Sequence, residues 1–475
     1  NYKSDIVRIG NGKIVTLKDN YNDTVKTVIV ERYNNLPGAL YIEGQLNFIR
    51  GNTFILEDSC TLGIMHINGI TPSGLSGAIQ MNTRTFGVSR YVFNSNISAT
   101  TTGLGLPDTV KSLIIDMQHP SFKTLFLSNA ASPPVKIQDT LFIRQGEFAT
   151  NTRNVVIHKV IEVDSVVNNG RLVPGTNKFI FENNGTKNIV LKNRSGLTFY
   201  DVDIIGGTVK VNRPVAPTPD SSHIYINNNL NFAGTSGIFE INDNVNLVVR
   251  NADTSSILNY GTNNFVRTTS SGGYLIRNIN PSLSYVFPIG FNSDYRPATF
   301  DGLTGTPGYL GIRVNEGSLP NLAHAGSSGI PISSFVQKYW SVDSVKLQIN
   351  GRLRFFYQDS DVFGTETDMN NIGRWNPVRE ITPGSWAFPF SPPSIDYTNN
   401  YFETSTSFAY TGFSGDWALG SNNYFRRIFF SRQSGNWNDE NSWTYNPTHS
   451  GPIFGTGMYP SFPTDSAVIG GGVSG

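Results

Sequence analysis

The stretch that decides the fold is VKIQDTLFI at residues 135–143, which is followed by NVVIHKVIEVD at 154–164, KFIFEN at 178–183 and KNIVLK at 187–192. Apolar and polar residues alternate in each segment, which is the period of a half-buried strand. The segments are short, and Asn, Gly, Asp or Ser separates them. No amphipathic helix of ten residues lies between them, so the pattern contains no helical crossovers. These residues therefore predict an all-β structure.

The same pattern extends in both directions from this stretch, over KSLIID (111–116), KTLFLS (123–128), HIYIN (223–227) and GIFEI (237–241). Short strands with Asn and Gly corners and irregular insertions predict a parallel β-helix over residues 1–285. In that fold each coil forms hydrogen bonds with the coils above and below it. A set of β-sandwiches is the alternative. We favour the β-helix because no Asn-Gly or Asp-Gly two-residue turn stands between matched strands.

A looser pattern recurs within this region, in LNFIRGNTF (46–54), LFIRQGEF (141–148) and LNFAGTSGIF (230–239). In each copy an apolar pair is followed by Gly and then by Phe. Repetition of this kind is typical of stacked coils.

The composition changes near residue 286. All six tryptophans lie in the last third of the chain, at Trp340, Trp375, Trp386, Trp417, Trp437 and Trp443. Alternating strands with an aromatic residue in nearly every one, and turns rich in Pro and Gly, predict an antiparallel immunoglobulin-like β-sandwich over residues 286–420. Residues 421–475 are predicted to be a linker and the start of a next repeat unit.

The reason for predicting a next unit is a repeated motif. DIVRIGNG at 5–12 and DSAVIGGG at 465–472 both fit Asp-x-x-x-Ile-Gly-x-Gly. A chain cut from a tandem array would carry such a second copy. A chance match of four fixed positions is the alternative.

Charge and cysteine content exclude several classes of function. Lys and Arg number 36 against 35 Asp and Glu, and no segment concentrates the basic residues, so nucleic acid is not an expected partner. The single cysteine, Cys60, excludes an intramolecular disulfide and is predicted to be a buried apolar residue. No apolar run approaches the length of a membrane span. Because the chain lacks an initiating Met and a signal-like segment, we expect that a leader has been removed or that this is part of a longer protein.

Several phrases carry a family resemblance: VFPIG (286–290), YRPATF (295–300), YWSVDS (339–344), GRWNPV (373–378), SGDWALG (414–420), SGNWNDENSW (434–443) and PTDSAVIGGG (463–472). They resemble the very large repeat-bearing surface proteins of gliding and related Bacteroidota, which are exported by the type IX secretion system. The resemblance implies an extracellular or cell-surface structural or adhesive protein, similar to gliding-motility adhesins, with no inherited catalytic site. Its partners would be neighbouring repeat units or other copies of the chain, and also surface polysaccharide.

The resemblance also implies O-linked glycans at Asp-Ser/Thr-apolar triplets. The candidate residues are Thr24, Thr109, Thr140, Ser165, Ser344 and Ser466. The alternative is that Asp-Ser or Asp-Thr simply ends a turn before a strand.

Two further candidate sites lie in the predicted sandwich. DSDVFGTETD clusters four acids in one loop, Asp359, Asp361, Glu366 and Asp368, and hard oxygen ligands of this kind suit calcium, although the spacing is not that of an EF-hand. An acidic turn without a ligand is the alternative. Trp375 and Trp386 are candidates for stacking on sugars, and the alternative is that they belong to the sandwich core.

Catalytic chemistry finds little support. Asp201 and Asp203 share one strand face but are best explained as surface acids, the six histidines are scattered, and we find no HExxH, GxSxG or P-loop motif. We therefore predict no enzyme, no catalytic residue and no cofactor other than calcium. The predicted function is a stiff stalk or filament unit of a giant surface protein. The alternative is a carbohydrate-binding module or a polysaccharide-active β-helix enzyme.

Overall fold

The computed structural model describes residues 5–18, 24–95, 99–117, 123–128, 133–164, 170–192, 196–213, 223–242, 245–269, 272–316, 334–345, 347–375, 394–404, 413–421, 428–444 and 466–469. The chain divides into two compact units, one of residues 1–267 with 271–274 and one of residues 268–270 with 275–475. The predicted boundaries at 285 and 420, and the role of residues 421–475, stay predictions.

The described residues form strands and four short 3-10 helices. Strands β1–β16 are Ile6–Ile9, Ile14–Leu17, Thr24–Val30, Arg32–Tyr33, Leu36–Pro37, Ala39–Ile42, Ile49–Leu56, Thr61–Ile64, Ile79–Phe86, Arg90–Phe93, Ala99–Thr101, Thr109–Asp116, Thr124–Phe126, Val135–Gln145, Glu147–Ala149 and Val155–Ile157. Strands β17–β30 are Val160–Val163, Arg171–Val173, Lys178–Phe181, Thr186–Leu191, Leu197–Phe199, Asp201–Ile204, Gly207–Asn212, Ile224–Ile226, Leu230–Asn231, Gly237–Ile241, Leu247–Val249, Ile257–Leu258, Asn264–Thr268 and Leu275–Ile279. Strands β31–β46 are Ser284–Phe287, Ile289–Phe291, Asp294–Tyr295, Ala298–Thr306, Gly308–Glu316, Phe335–Val336, Lys338–Val345, Gln348–Phe356, Val362–Phe363, Asn371–Trp375, Ser394–Asp396, Tyr401–Glu403, Gly415–Gly420, Ile428–Ser431, Trp443–Thr444 and Ser466–Val468. The 3-10 helices are Thr254–Ser256, Asp359–Asp361, Glu366–Asp368 and Glu440–Ser442.

The first unit is a parallel β-solenoid of about ten turns. One series of stacked strands begins β1–β3–β7–β9, and a second runs β2–β6–β8–β10–β12–β14. The long strand β14 then pairs with both β16 and β17, so that two series continue, β16–β19–β22–β25–β28 and β17–β20–β23–β26. A further series includes β11–β13–β15–β18 and β21–β24–β27. The prediction of an all-β chain with a β-helix is therefore confirmed.

Equivalent apolar side chains lie above one another in successive coils. Val155, Phe179, Val202 and Leu230 are register partners along one series, and all four are buried. Alternate residues of a strand face the same side, so stacking the coils joins these positions into one continuous apolar column. The edge-to-face contact of Phe179 with Phe199, 4.9 Å between ring centroids, fills the interior between two series.

The recurring Gly-then-Phe pattern now has a physical explanation. Gly51 and Gly146 have φ of 152° and 80°, backbone conformations that favour glycine. A Cβ on Gly51 would lie 1.7 Å from the Val25 carbonyl oxygen of the adjacent coil. Phe54 and Phe148, which follow these glycines, are fully buried. The glycine allows two coils to approach closely, and the phenylalanine then fills the core.

The second unit contains two antiparallel sheets. One sheet includes β35, β37, β43 and β40, and the other is β31–β34–β38–β42–β41. Trp340 and Trp417 of the first sheet contact Phe355 of the second, with ring centroids 5.5 and 6.0 Å apart, and Phe402 of the second sheet completes the cluster. The immunoglobulin-like arrangement of these strands is not confirmed and stays a prediction.

Candidate functional site

Strand β1 is an edge strand of its sheet. It pairs in parallel with β3, and the Asp5 and Ile9 carbonyls accept hydrogen bonds from the Thr27 and Glu31 N–H groups at 3.2 and 2.9 Å. Backbone groups alternate in direction along a strand, so those of Ile6 and Arg8 point to the opposite edge. No described strand pairs with β1 there, which makes this edge a candidate site for the addition of another strand.

The apolar residues at this end of the solenoid are also exposed. Ile6 is 56% and Ile14 69% exposed, and Val15 is partly exposed, whereas Leu40, the register partner of Val15 one coil on, is buried. The difference arises because the described residues place a further coil on only one side of β1 and β2. This end of the solenoid therefore presents both an open strand edge and apolar side chains.

The second copy of the opening motif lies in a strand that has a parallel partner. β46, which holds Ser466–Val468 of that copy, pairs in parallel with β44, with Ile428 opposite Ser466 and Phe430 opposite Val468. β44 also pairs antiparallel with β45. By the motif alignment Ser466 and Val468 correspond to Ile6 and Arg8 of β1.

A compact tryptophan turn joins β44 to β45. The rings of Trp437 and Trp443 meet edge to face with centroids 5.1 Å apart, and the Trp443 Nε1–H donates to the Trp437 carbonyl at 2.9 Å. The stretch is not extended, since a 3-10 helix at Glu440–Ser442 lies between the two rings. The turn brings the rings together and buries Trp443 while Trp437 stays exposed.

The two acids of the DVD segment belong to side-chain ladders that run from coil to coil. Asp203 accepts a hydrogen bond from the Asn231 amide at 3.1 Å, and Asn231 in turn accepts one from the Asn259 amide at 2.8 Å. Lys178 pairs with the other oxygen of Asp203 at 2.8 Å.

Asp201 heads a second ladder of the same kind. It accepts from the Asn228 amide at 2.9 Å, and Asn228 accepts from the Asn251 amide at 3.2 Å. The carboxylates of both ladders are thus engaged in hydrogen bonds between coils, which is a structural role.

The candidate glycosylation residues are dispersed. Thr24, Thr109 and Thr140 lie half-buried in β3, β12 and β14, while Ser344 and Ser466 lie in β37 and β46. Ser165 lies outside the described residues. Thr24, Thr109 and Ser466 are each the first residue of a strand, which also fits the alternative that the triplet marks a turn before a strand. Both interpretations stay open.

Three of the four acids of the predicted calcium loop have separate side-chain partners. Asp361 is buried and forms a bidentate pair with the buried Arg296, in which Nε donates to Oδ2 and Nη2 donates to Oδ1 at 2.9 Å. The Tyr357 hydroxyl donates to Glu366 at 2.8 Å, and burial together with this hydrogen bond raises the pKa of Tyr357. Asp359 accepts from the Asn400 amide. No group of three or more His, Cys, Asp or Glu side chains among the described residues is placed to hold a metal ion. Calcium binding at this loop stays a prediction.

Sugar stacking by Trp375 and Trp386 stays a prediction. Trp375 belongs to β40, but its side chain lies outside the described part of the structure, as does the whole of Trp386. Cys60 is buried, as expected, and burial raises the pKa of its thiol.

One polar residue in the solenoid was missed by sequence reasoning. Lys187 is fully buried, and its ammonium donates to the carbonyls of Asn183 and Gly206. Burial lowers the pKa of Lys187 to about 8. The available signal was the alternation within β20, where Lys187 shares the inward face with Ile189 and Leu191.

Comparison of the chain with protein-family models, with curated proteins and with solved structures returns no match. Within the described part of the chain, no helix has the length and apolar character needed to cross a bilayer.

Proposed function

We propose that this chain is a structural repeat segment of a longer extracellular or cell-surface protein and that it acts as a stiff stalk. The observation that carries the proposal is the pairing of β46, which contains the second copy of the opening motif, with the parallel strand β44. The first copy lies in β1, whose outer edge has the backbone groups needed for the same pairing.

The stiffness of such a stalk would come from bonds directed along the solenoid axis. Parallel strand pairing and the apolar column connect successive coils, and the two Asp-Asn ladders add side-chain hydrogen bonds across three of them. Bending the solenoid would separate coils on one side and break these contacts together. The role of a stiff stalk requires no catalytic chemistry.

The junction between repeats follows from the same elements. In a tandem array the strand equivalent to β44 of one repeat would pair in parallel with β1 of the next. The turn that holds Trp437 and Trp443 would lie beside that junction and Ile14 and Val15 would become covered. An adhesive role, an immunoglobulin-like second unit and export by type IX secretion are parts of the same proposal, supported by the family resemblance.

The junction is testable with a synthetic peptide of residues 428–444, which spans β44, the tryptophan turn and β45. We expect a fluorescently labelled peptide to bind the full-length protein with saturable anisotropy. The variant R8P should abolish binding, because Pro removes the N–H that points to the outer edge while the β1–β3 bonds of Asp5 and Ile9 remain.

The matched control is R8A, which removes the same side chain but keeps the N–H and should bind as the wild type does. Absence of peptide binding by the wild-type protein, or equal binding by R8P and R8A, would contradict the proposed junction.

A further inference from the structure

A shallow groove of about 650 Å³ crosses adjacent coils of the first unit. Its floor lies at the ends of β11 and β13, where Thr101 and Phe126 are register partners, and continues through Ser128 to Asn151. The loop 71–76 forms one wall. All the described residues that line the groove are Asn, Thr, Ser, Pro, Gly, Leu or Phe, so none of them carries a charge.

A pair of hydroxyl groups supplies a hydrogen-bond donor to this groove. Thr101 Oγ1 and Ser128 Oγ lie 2.6 Å apart, and both residues line it. The bond between them uses one of their two protons, so one O–H remains to donate to a ligand whichever residue donates in the pair. The Gly103 N–H donates to Thr101 Oγ1 at 3.2 Å, and the Ser128 N–H donates to Thr102 Oγ1 at 3.1 Å. These backbone bonds hold the hydroxyl pair in place.

An amide supplies the matching acceptor. Asn151 Nδ2 donates to the Leu127 carbonyl at 3.0 Å, which sets the orientation of the amide next to Ser128. The Oδ1 atom of Asn151 is then oriented to accept a hydrogen bond, beside the hydroxyl donor of Thr101 and Ser128. A donor and an acceptor side by side suit a hydroxyl group, which both accepts and donates.

An aromatic ring lies beside these polar groups. Phe126 is 39% exposed although it is a large apolar residue on a strand, and Leu104, another lining residue, is also exposed. An exposed ring next to a few fixed polar groups is the composition of a site that recognises an amphipathic ligand.

The wall formed by loop 71–76 is held by a single arginine. Arg84 donates to the Thr71 carbonyl at 2.7 Å, to Thr71 Oγ1 at 2.9 Å and to the Met81 carbonyl at 2.8 Å, and also to the Gly74 carbonyl. Three of these four hydrogen bonds go to Thr71 and Gly74 of the loop. They fix the position of the wall before any ligand binds.

From this arrangement we infer that the groove binds a neutral oligosaccharide, with the apolar face of a sugar ring on Phe126 and ring hydroxyls on Ser128, Thr101 and Asn151. An acidic glycan would bring carboxylates or sulfates into a lining that has no cation to pair with them. This site goes beyond the proposed stalk, because it gives the solenoid wall a ligand of its own.

Saturation-transfer NMR on the full-length protein tests the inference, with maltohexaose, cellohexaose and mannohexaose as neutral probes and hexagalacturonate as the acidic probe. We expect at least one neutral hexasaccharide to show saturable transfer, strongest at ring C–H protons, and hexagalacturonate to show none. F126A should weaken that binding by about tenfold, because it removes the ring contact. F126Y should retain it, and S128A should weaken it by several-fold.

Y33A is the matched control, since Tyr33 is an exposed aromatic residue of the same unit on the hairpin β4–β5, and we expect it to bind as the wild type does. Thermal melts of all variants separate loss of binding from loss of folding. Absence of binding by all three neutral probes, preference for hexagalacturonate, or unchanged affinity in a folded F126A would each overturn the inference. None of these outcomes bears on the strand addition at β1.

Discussion

Replacing Asp361 by Asn is expected to destabilise the second unit strongly. Asp361 and Arg296 have side chains 4% and 1% exposed, and the carboxylate accepts two hydrogen bonds from the guanidinium and one from the Gln358 N–H at 3.0 Å. The neutral amide keeps the shape but leaves the guanidinium with only Asp294, a 41% exposed carboxylate 3.8 Å away, as its counter-ion. Breaking a buried pair in this way costs about 3–5 kcal/mol.

The shift in melting temperature follows from the size of the unit. For a unit of roughly two hundred residues each kcal/mol lowers Tm by about 2–4 °C, so D361N should lower the transition of the second unit by roughly 6–20 °C. Differential scanning calorimetry of the wild type and D361N measures this shift. The control D359N changes an exposed acid of the same loop and should alter stability by about 0.5 kcal/mol or less.

The same experiment separates the structural role of Asp361 from calcium binding. The ion pair predicts that millimolar CaCl2 leaves the wild-type Tm unchanged. A D361N transition within a degree or two of the wild type would refute the reasoning about the buried pair. Stabilisation of the wild type by CaCl2 that is lost in D361N would instead establish the calcium site.

Three further predictions concern the solenoid. F181A should lower the free energy of unfolding, measured by guanidinium titration, by about 3–5 kcal/mol, because Phe181 is fully buried between Ile157 and Ile204 of the adjacent coils. A loss below about 1 kcal/mol would mean that the apolar column is not close-packed. N231A should lower the free energy of unfolding by about 1–2 kcal/mol, because it removes both ladder hydrogen bonds of Asn231. In a double-mutant cycle, the effects of N231A and N259A should be non-additive. Strict additivity would show that the ladder does not stabilise the coils. The pKa of Lys187 is about 8 in the folded chain and 10.5 in the unfolded chain. Between these two pH values the unfolded chain keeps a proton on Lys187 that the folded chain has released. The free energy of unfolding should therefore rise with pH across this window, by up to about 3 kcal/mol. K187M should remove that rise, and an identical pH profile in K187M would rule out Lys187 as its source.

Some features of the fold follow from local sequence alone. Alternation within segments such as 135–143 and 178–183 is sufficient for strands, since the direction of a side chain depends only on its position in the strand. The absence of Asn-Gly or Asp-Gly hairpin turns between matched strands then favoured a parallel β-helix over β-sandwiches. The inward position of Lys187 could have been deduced in the same way, because it shares the parity of Ile189 and Leu191.

Other features needed the coordinates, because they depend on how far apart in the chain two contacting residues lie. The coils have unequal lengths, so sequence spacing does not tell which residue of one coil lies on which of the next. Arg296 and Asp361 are 65 positions apart, and they lie just beyond the ends of β34 and β38, which pair with Ala298 opposite Phe355. The groove likewise takes Thr71, Thr101, Ser128 and Asn151 from successive passes of the chain.

The sequence by itself therefore determined the all-β class of structure, through the two-residue alternation of apolar and polar residues and the Asn and Gly residues between the strands. Tertiary structure alone decided which polar groups became structural partners and which remained at the surface. The physical reason is that strand formation is set by neighbouring residues, whereas a buried ion pair or a groove is set by the register between coils and sheets, which insertions of different length shift.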